Sequence, residues 1–189
     1  MDLVEEIVVL GDGRDLEVLR PRDAEALVDE HAFEEDEFLP YWAQLWPSGV
    51  ALARAVATRA LRGARVLEVG CGLGLPSLAA ALAGGRVLAT DWSATAIDLL
   101  RDNAARNGAT LETAVVSWTA PEPLLDRAPF DLVLAADVLY ERRNVPVLAG
   151  LLPRLGREVL LADPGRPPLP DFLERTGTVW ARPPVYRLR

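Results

Sequence analysis

The chain has 189 residues, 50% of them hydrophobic and 25% charged, the composition of one globular domain with a substantial core. Its net charge of −8 argues against a protein that grips nucleic acid through its phosphates, which takes clustered basic residues, and is compatible with a cationic substrate. Arginines and aspartates interrupt every apolar run before the roughly 20 residues that a membrane helix needs, and a single cysteine, Cys71, excludes an internal disulfide and any multi-cysteine metal site.

The first residues are acidic and lack the basic region of a signal peptide, so a cytoplasmic location is expected. Residues 3–10 and 15–19 are two apolar runs around Gly11-Asp12-Gly13-Arg14, which predicts a β-hairpin closed at Pro21. Residues 23–30 have the spacing of a short helix, and Glu34-Glu35-Asp36-Glu37 form a dense acidic run, read as a solvated loop or as a guide for a basic substrate. His31 is the only histidine, which makes a Ser/His/Asp triad improbable.

The segment 39–49 is rich in aromatics, with Tyr41, Trp42 and Trp46 close together, and it feeds a helix expected over 50–61. Such a cluster is either a hydrophobic plug or the wall of a pocket. For Trp46 both readings stand; for Trp42 the plug is favoured.

The stretch Val66-Leu67-Glu68-Val69-Gly70-Cys71-Gly72-Leu73-Gly74 is a strand running into three alternate glycines, and Pro76 then opens an Ala/Leu-rich helix over 75–83. Glycines let the backbone approach a ligand, and the helix start adds free N–H groups. Cys71 sits between two of these glycines, where its small size explains it better than thiol chemistry. The next strand, 86–90, runs into Asp91-Trp92; an acid at that position binds the ribose hydroxyls of nucleotide cofactors.

Ser93 is a natural N-cap for a helix that stops at Asn107-Gly108, and residues 111–116 form a third strand followed by Ser117-Trp118. A loop with three prolines leads to a long buried strand expected over 130–140, containing Ala136-Asp137-Val138-Leu139-Tyr140. A helix within 144–155, a fifth parallel strand over 159–162 ending in Asp163-Pro164-Gly165-Arg166, a proline-rich connector and strands at 178–181 and 185–188 complete the chain. The alternation predicts an α/β, Rossmann-like sheet with helices on both faces, ligands gathering at the carboxyl ends of its strands. Residues 1–46 read as an N-terminal hairpin and aromatic entry segment, and 47–189 as the main domain, in one structural unit. An acid stands near four of the five parallel strand ends, counting Glu68 for the first.

The set Glu68-x-Gly70-x-Gly72-x-Gly74 with Asp91 and the strand ending at Asp137 resembles the class I S-adenosylmethionine-dependent methyltransferases, whose sheet has seven strands. The Asp137-x-x-Tyr140 signature and the tryptophan-containing entry resemble family 16, the seven-β-strand lysine methyltransferases. The entry segment and Asp163-Pro164-Gly165-Arg166 look most like its electron-transfer flavoprotein β-subunit lysine methyltransferases and their bacterial relatives.

The resemblance implies S-adenosyl-L-methionine as cofactor. It implies a cofactor site made of Trp46, Glu68, Gly70, Cys71, Gly72, Gly74, Asp91, Trp92, Ser117, Trp118 and Ala136, and no metal. Within that set, the glycines pass the methionine part, Asp91 takes the ribose and Trp118 the adenine. One departure stands out: the family carries an acid before this tryptophan and the chain has Ser117. Asp137 and Tyr140 are the expected catalytic pair, Asp137 orienting an amine or accepting its proton. The expected acceptor is a protein lysine, with a small amine or hydroxyl compound as the alternative, and the expected form is a monomer or weak dimer. A dinucleotide oxidoreductase would require GxGxxG instead of the GxGxG present; a non-catalytic binding module is the remaining competitor.

Overall fold

Two antiparallel strands, β1 (Leu3–Val9) and β2 (Asp15–Pro21), form the expected hairpin in a computed structural model that describes residues 1–27 and 40–188. The acidic run 34–37, His31 and the later part of the helix expected over 23–30 lie outside the described residues; Glu25–Leu27 form a single 3₁₀ turn. A second 3₁₀ turn, Tyr41–Ala43, leads into helix α1 (Pro47–Ala57). That helix starts three residues before the expected position, because Pro47 occupies the first turn, where a missing N–H costs nothing.

The remaining strands are β3 (Arg65–Val69), β4 (Arg86–Asp91), β5 (Glu112–Val115), β6 (Leu132–Ala136), β7 (Val159–Ala162), β8 (Thr178–Arg182) and β9 (Val185–Leu188). They form one seven-stranded sheet in the order β5-β4-β3-β6-β7-β9-β8. The first five strands in that order are parallel, and β9 is antiparallel to both of its neighbours. Helices α2 (Leu75–Leu82) and α3 (Ala94–Arg106) connect β3 to β4 and β4 to β5; α5 (Asn144–Leu155) connects β6 to β7. The chain thus leaves β3 toward one side of the sheet and later returns to its other side with β6. The switch point lies between the carboxyl ends of β3 and β6.

Two helices stand in stretches that the prolines marked as loops: α4 (Glu122–Leu125) and α6 (Leu169–Thr176), each with proline in its first turn. The strand expected over 130–140 ends at Ala136. Asp137 has φ +59°, the one non-glycine residue with positive φ among those described, and its N–H donates to the Ala162 carbonyl at 2.8 Å. Left-handed backbone cannot continue a pleated strand, so the chain turns out of the sheet at that residue.

The hairpin belongs to the same core as the helices: Val8, Leu10, Leu16 and Val18 are buried together with Leu52, Val56 and Leu100. Its open edge is taken by two amides on α3. Asn103 accepts from the Leu19 N–H at 2.7 Å and donates to its carbonyl at 3.1 Å, and Asn107 does the same for Glu17 at 2.9 and 2.8 Å. Four residues of helix rise about 6 Å and two residues of strand about 6.6 Å, so the side chains of one helical turn act as a partner strand. Among the described residues no helix is long and apolar enough to cross a membrane.

Candidate active site

At the switch point an open cleft of about 290 Å³ lies over the glycine turn. Gly70, Gly72 and Gly74 all have positive φ. A Cβ on Gly70 would stand 2.9 Å from Cζ2 of Trp118, and one on Gly72 would stand 3.1 Å from the Trp42 carbonyl oxygen, so the cleft floor is bare backbone by steric necessity. Asp91 holds this turn: its Oδ2 accepts from the Gly72 N–H at 2.9 Å and its Oδ1 from the Ser93 N–H at 3.0 Å. Burial pushes the Asp91 carboxyl up, and those backbone donors pull it back.

Glu68 lies under the turn. Its Oε2 accepts from the Ser77 N–H at 2.8 Å and makes a very short contact with the Ser77 hydroxyl, tying β3 to α2. Burial pushes its carboxyl up to about 8, so it is protonated at neutral pH. The Cys71 thiol, buried beside Asp91 and Glu68, is pushed up as well, which leaves it a small packed residue and no nucleophile.

Across the cleft, the turn after β6 meets the loop after β7. Arg166 Nη1 donates to Asp137 Oδ1 at 2.6 Å and to Asp163 Oδ2 at 3.0 Å. Asp163 is fully buried and its Oδ1 accepts the N–H groups of Gly165 and Arg166 at 2.8 and 2.7 Å, so the loop is locked from inside. The guanidinium lies 5.4 Å from the ring centre of Trp46, whose indole N–H is spent on the Tyr41 carbonyl at 2.8 Å. Asp137 Oδ2 is buried and makes no hydrogen bond; the Ser48 hydroxyl, itself unpaired, is close enough to lower the Asp137 pKa without reaching bonding geometry. Burial dominates at Asp137 and sets its carboxyl above the ordinary range; Arg166 and Ser48 pull it down and Asp163 pushes it up. Tyr140 stands 4.8 Å from Tyr41 and 6.3 Å from Trp118, ring centre to ring centre. Its phenol, pushed up to about 12 chiefly by burial, stays neutral at working pH.

Of the residues singled out in the sequence, Trp46, Glu68, the three glycines with Cys71, Asp91, Trp92, Trp118, Ala136, Asp137 and Tyr140 all line this one cleft. Ser117 does not. It is exposed, and its hydroxyl shares a 2.8 Å hydrogen bond with the Thr119 hydroxyl, so the strand end delivers Trp118 to the cleft and turns Ser117 away. Trp42 packs against the core and also lines the cleft, a plug and a wall at once. Tyr41 from the aromatic entry, Val138 from the strand end Asp137–Tyr140 and Arg166 from the strand end Asp163–Arg166 line the cleft as well, though the sequence assigned none of the three an individual role. The signals were the strand-end loop for Arg166, the aromatic cluster for Tyr41 and the strand end itself for Val138.

The profile of a family described as lysine methyltransferase matches residues 29–161. The chain belongs to that family. It is 35% identical to the electron transfer flavoprotein beta subunit lysine methyltransferase of Xenopus laevis over 136 residues, which is 67% of this chain and 53% of that protein. It is 31% identical to EEF1A lysine methyltransferase 3 of Mus musculus over 118 residues, 60% of this chain and 50% of that protein. The chain thus spans about half the length of the curated relatives it matches. Among solved structures, the T. thermophilus 16S rRNA methyltransferase RsmC in complex with AdoMet and guanosine superimposes with a TM-score of 0.64 over 99% of this chain and 49% of that one. At 18% identity that likeness shows the fold alone.

The cleft of this family member fits S-adenosylmethionine on its own geometry. Asp91 takes backbone N–H donors from Gly72, Ser93 and Trp92, and a carboxylate offers about four lone-pair sites, so acceptor capacity remains for a ribose. Trp118 and Val138 flank the Gly70 backbone as flat and apolar walls. Gly70, Gly72 and Gly74 would admit the amino-acid portion, with Trp46 in the cleft wall.

Proposed function

We propose that the chain transfers a methyl group from S-adenosylmethionine to the ε-amine of a protein lysine. The observation that carries this reading is the meeting, in one cleft at the switch point, of a glycine turn braced by Asp91 and a rim built from Asp137, Tyr140, Tyr41 and Trp46. The first half suits a nucleotide-like cofactor; the second suits an amine on an aliphatic stem, flanked by aromatic walls beside an arginine-paired carboxylate. When bound, S-adenosylmethionine supplies a methyl carbon made electrophilic by its sulfonium: the amine lone pair forms the N–C bond as the C–S bond breaks and its electron pair stays on sulfur. The protein's share is position, exclusion of water and control of the amine's proton. An ammonium has no lone pair, so its proton passes to bulk water before attack, and the methylated product leaves as the new ammonium.

A protein acceptor is further supported by the relatives named as lysine methyltransferases of protein substrates, and by a net charge of −8, which disfavours an acceptor rich in phosphates. The test is incubation of the purified chain with S-adenosylmethionine labelled in its methyl group and a bacterial lysate, followed by mass spectrometry of labelled peptides. Label on lysine within a polypeptide is the expected result. Cofactor binding without any label on protein would overturn the reading, and label confined to small molecules would replace it with a small-amine acceptor.

A further inference from the structure

The residue that conditions the acceptor end of the cleft is Arg166, although it lies outside the glycine turn and outside the Asp137-x-x-Tyr140 signature. Its guanidinium is held on three sides, by Asp137 at 2.6 Å, by fully buried Asp163 at 3.0 Å and by the face of Trp46 at 5.4 Å, with its side chain only 18% exposed. Of the two oxygens of Asp137, Oδ1 is occupied by this arginine and Oδ2 is sealed beneath the surface near Ser48. Asp163 spends its other oxygen on the loop's own N–H groups. Asp163 is thus compensated largely by the loop's own N–H groups and Asp137 by the guanidinium, and the cleft lining carries that permanent cation beside Asp137 and Asp91.

That arrangement bears on a chemical difficulty of the reaction proposed above. A lysine arrives as an ammonium, and a bare carboxylate in a half-buried cleft would hold it in that unreactive form. A neighbouring cation does the opposite: it lowers the amine's pKa, because like charges disfavour the protonated state. We propose that Arg166 is a positioning residue that acts through Asp137. It clamps the carboxylate through Oδ1, cancels its charge, and so makes the acceptor end select the neutral amine. This rests on the methyl-transfer reading for the identity of the acceptor, but the clamp itself can be measured without any acceptor.

The charged and titratable groups facing Asp137 are Arg166 and Asp163 from the loop after β7; Ser48 from α1 adds a hydroxyl. The probe is therefore Arg166→Gln, which removes the cation and keeps a donor, beside Arg166→Lys, which keeps the cation and loses the planar fork. In the chain without substrate, ¹³C NMR of the carboxyl groups, with Asp137 assigned through Asp137→Asn, should show the Asp137 titration moving up by about 1–3 pH units in Arg166→Gln and returning most of the way in Arg166→Lys. An unmoved titration overturns the clamp.

With the electron transfer flavoprotein beta subunit as acceptor, the rising limb of kcat against pH should move to higher pH in Arg166→Gln, with kcat at pH 7 falling about tenfold for each pH unit moved. KM should stay level or fall, since the bare Asp137 now attracts the ammonium, and Arg166→Lys should restore the limb. Calorimetric binding of S-adenosylmethionine to Arg166→Gln checks the cofactor half. A general loosening of the loop would instead raise KM, weaken cofactor binding and leave the limb where it was, and that outcome refutes the inference while leaving the methyl-transfer reading standing. Absence of transfer by the wild-type chain to this probe and to every lysate polypeptide sinks both.

Discussion

Gly74→Ala is the sharpest test of the glycine turn, because two separate costs can be read off one position. Gly74 is the N-cap of α2 with φ +80°, and an ideal Cβ there would stand 2.1 Å from Cδ1 and 3.1 Å from Cγ of Leu100. The left-handed backbone costs an alanine about 1–2 kcal/mol. The methyl group adds overpacking of about 1–3 kcal/mol, since Leu100 is fully buried in the main core and cannot swing away as an exposed leucine would. The sum, about 2–5 kcal/mol, is a large part of the stability of a domain of this size. Urea unfolding should show a lower midpoint at an unchanged slope. The two costs separate in a double-mutant cycle with Leu100→Ala, which removes the colliding atoms. The double variant should be more stable than the sum of the single effects by about 1–3 kcal/mol, while the backbone cost persists. A loss below about 1 kcal/mol in Gly74→Ala, or strict additivity with Leu100→Ala, would refute the close approach of turn and helix on which the shape of the cleft floor depends.

Asp91→Asn should weaken S-adenosylmethionine binding by about 10–100-fold, because the amide turns one of two acceptors into a donor facing the Gly72 or Ser93 N–H; calorimetry showing unchanged affinity would contradict the role of Asp91. Glu68→Gln tests the buried acid. With a folded pKa of about 8 against an ordinary 4.5, the folded chain keeps a proton that the unfolded chain has released between those values. Stability of the wild type should therefore fall as pH rises from about 5 to 8, by at most about 1.4 kcal/mol per pH unit from this group, and the fall should be shallower in Glu68→Gln. Parallel urea-midpoint curves over that range would rule this out. Asn103→Ala should strand the Leu19 N–H and carbonyl at the edge of β2 and cost about 1–3 kcal/mol, with hydrogen exchange at Leu19 speeding up more than at β3; equal protection in both variants would show that the amide clip is dispensable.

Most of the parallel half of the sheet was legible from spacing. Alternation of apolar strands with capped helices is a local property: Ser93 caps a helix by accepting from the Ala96 N–H, Gly74 supplies left-handed backbone, and Pro76 stands in a first turn where its missing N–H costs nothing. The cofactor side of the cleft was legible for the same reason: glycines that permit a turn, and acids that stop a strand, announce their roles in the residues next to them. Where reading failed, it was over prolines, which end a helix when internal and begin one when in the first turn, so α4 and α6 passed for loops. At Asp137, a run of apolar residues continued past a backbone reversal that only the φ angle reveals.

The amino-acid sequence by itself determined the glycine turn and the order of strands and helices, because each depends on contacts between near neighbours, and it marked Asp91 as the acid that ends the next strand. Tertiary structure alone decided the rest: that β9 lies between β7 and β8, that Asn103 and Asn107 stand in for a strand, that Tyr41 reaches Tyr140, and that Arg166 closes on Asp137 across 29 residues of chain. No periodicity encodes such pairings. They follow from the sheet order, which brings the turn after β6 beside the loop after β7, and from burial, which makes an ion pair the favourable outcome for Arg166, Asp137 and Asp163.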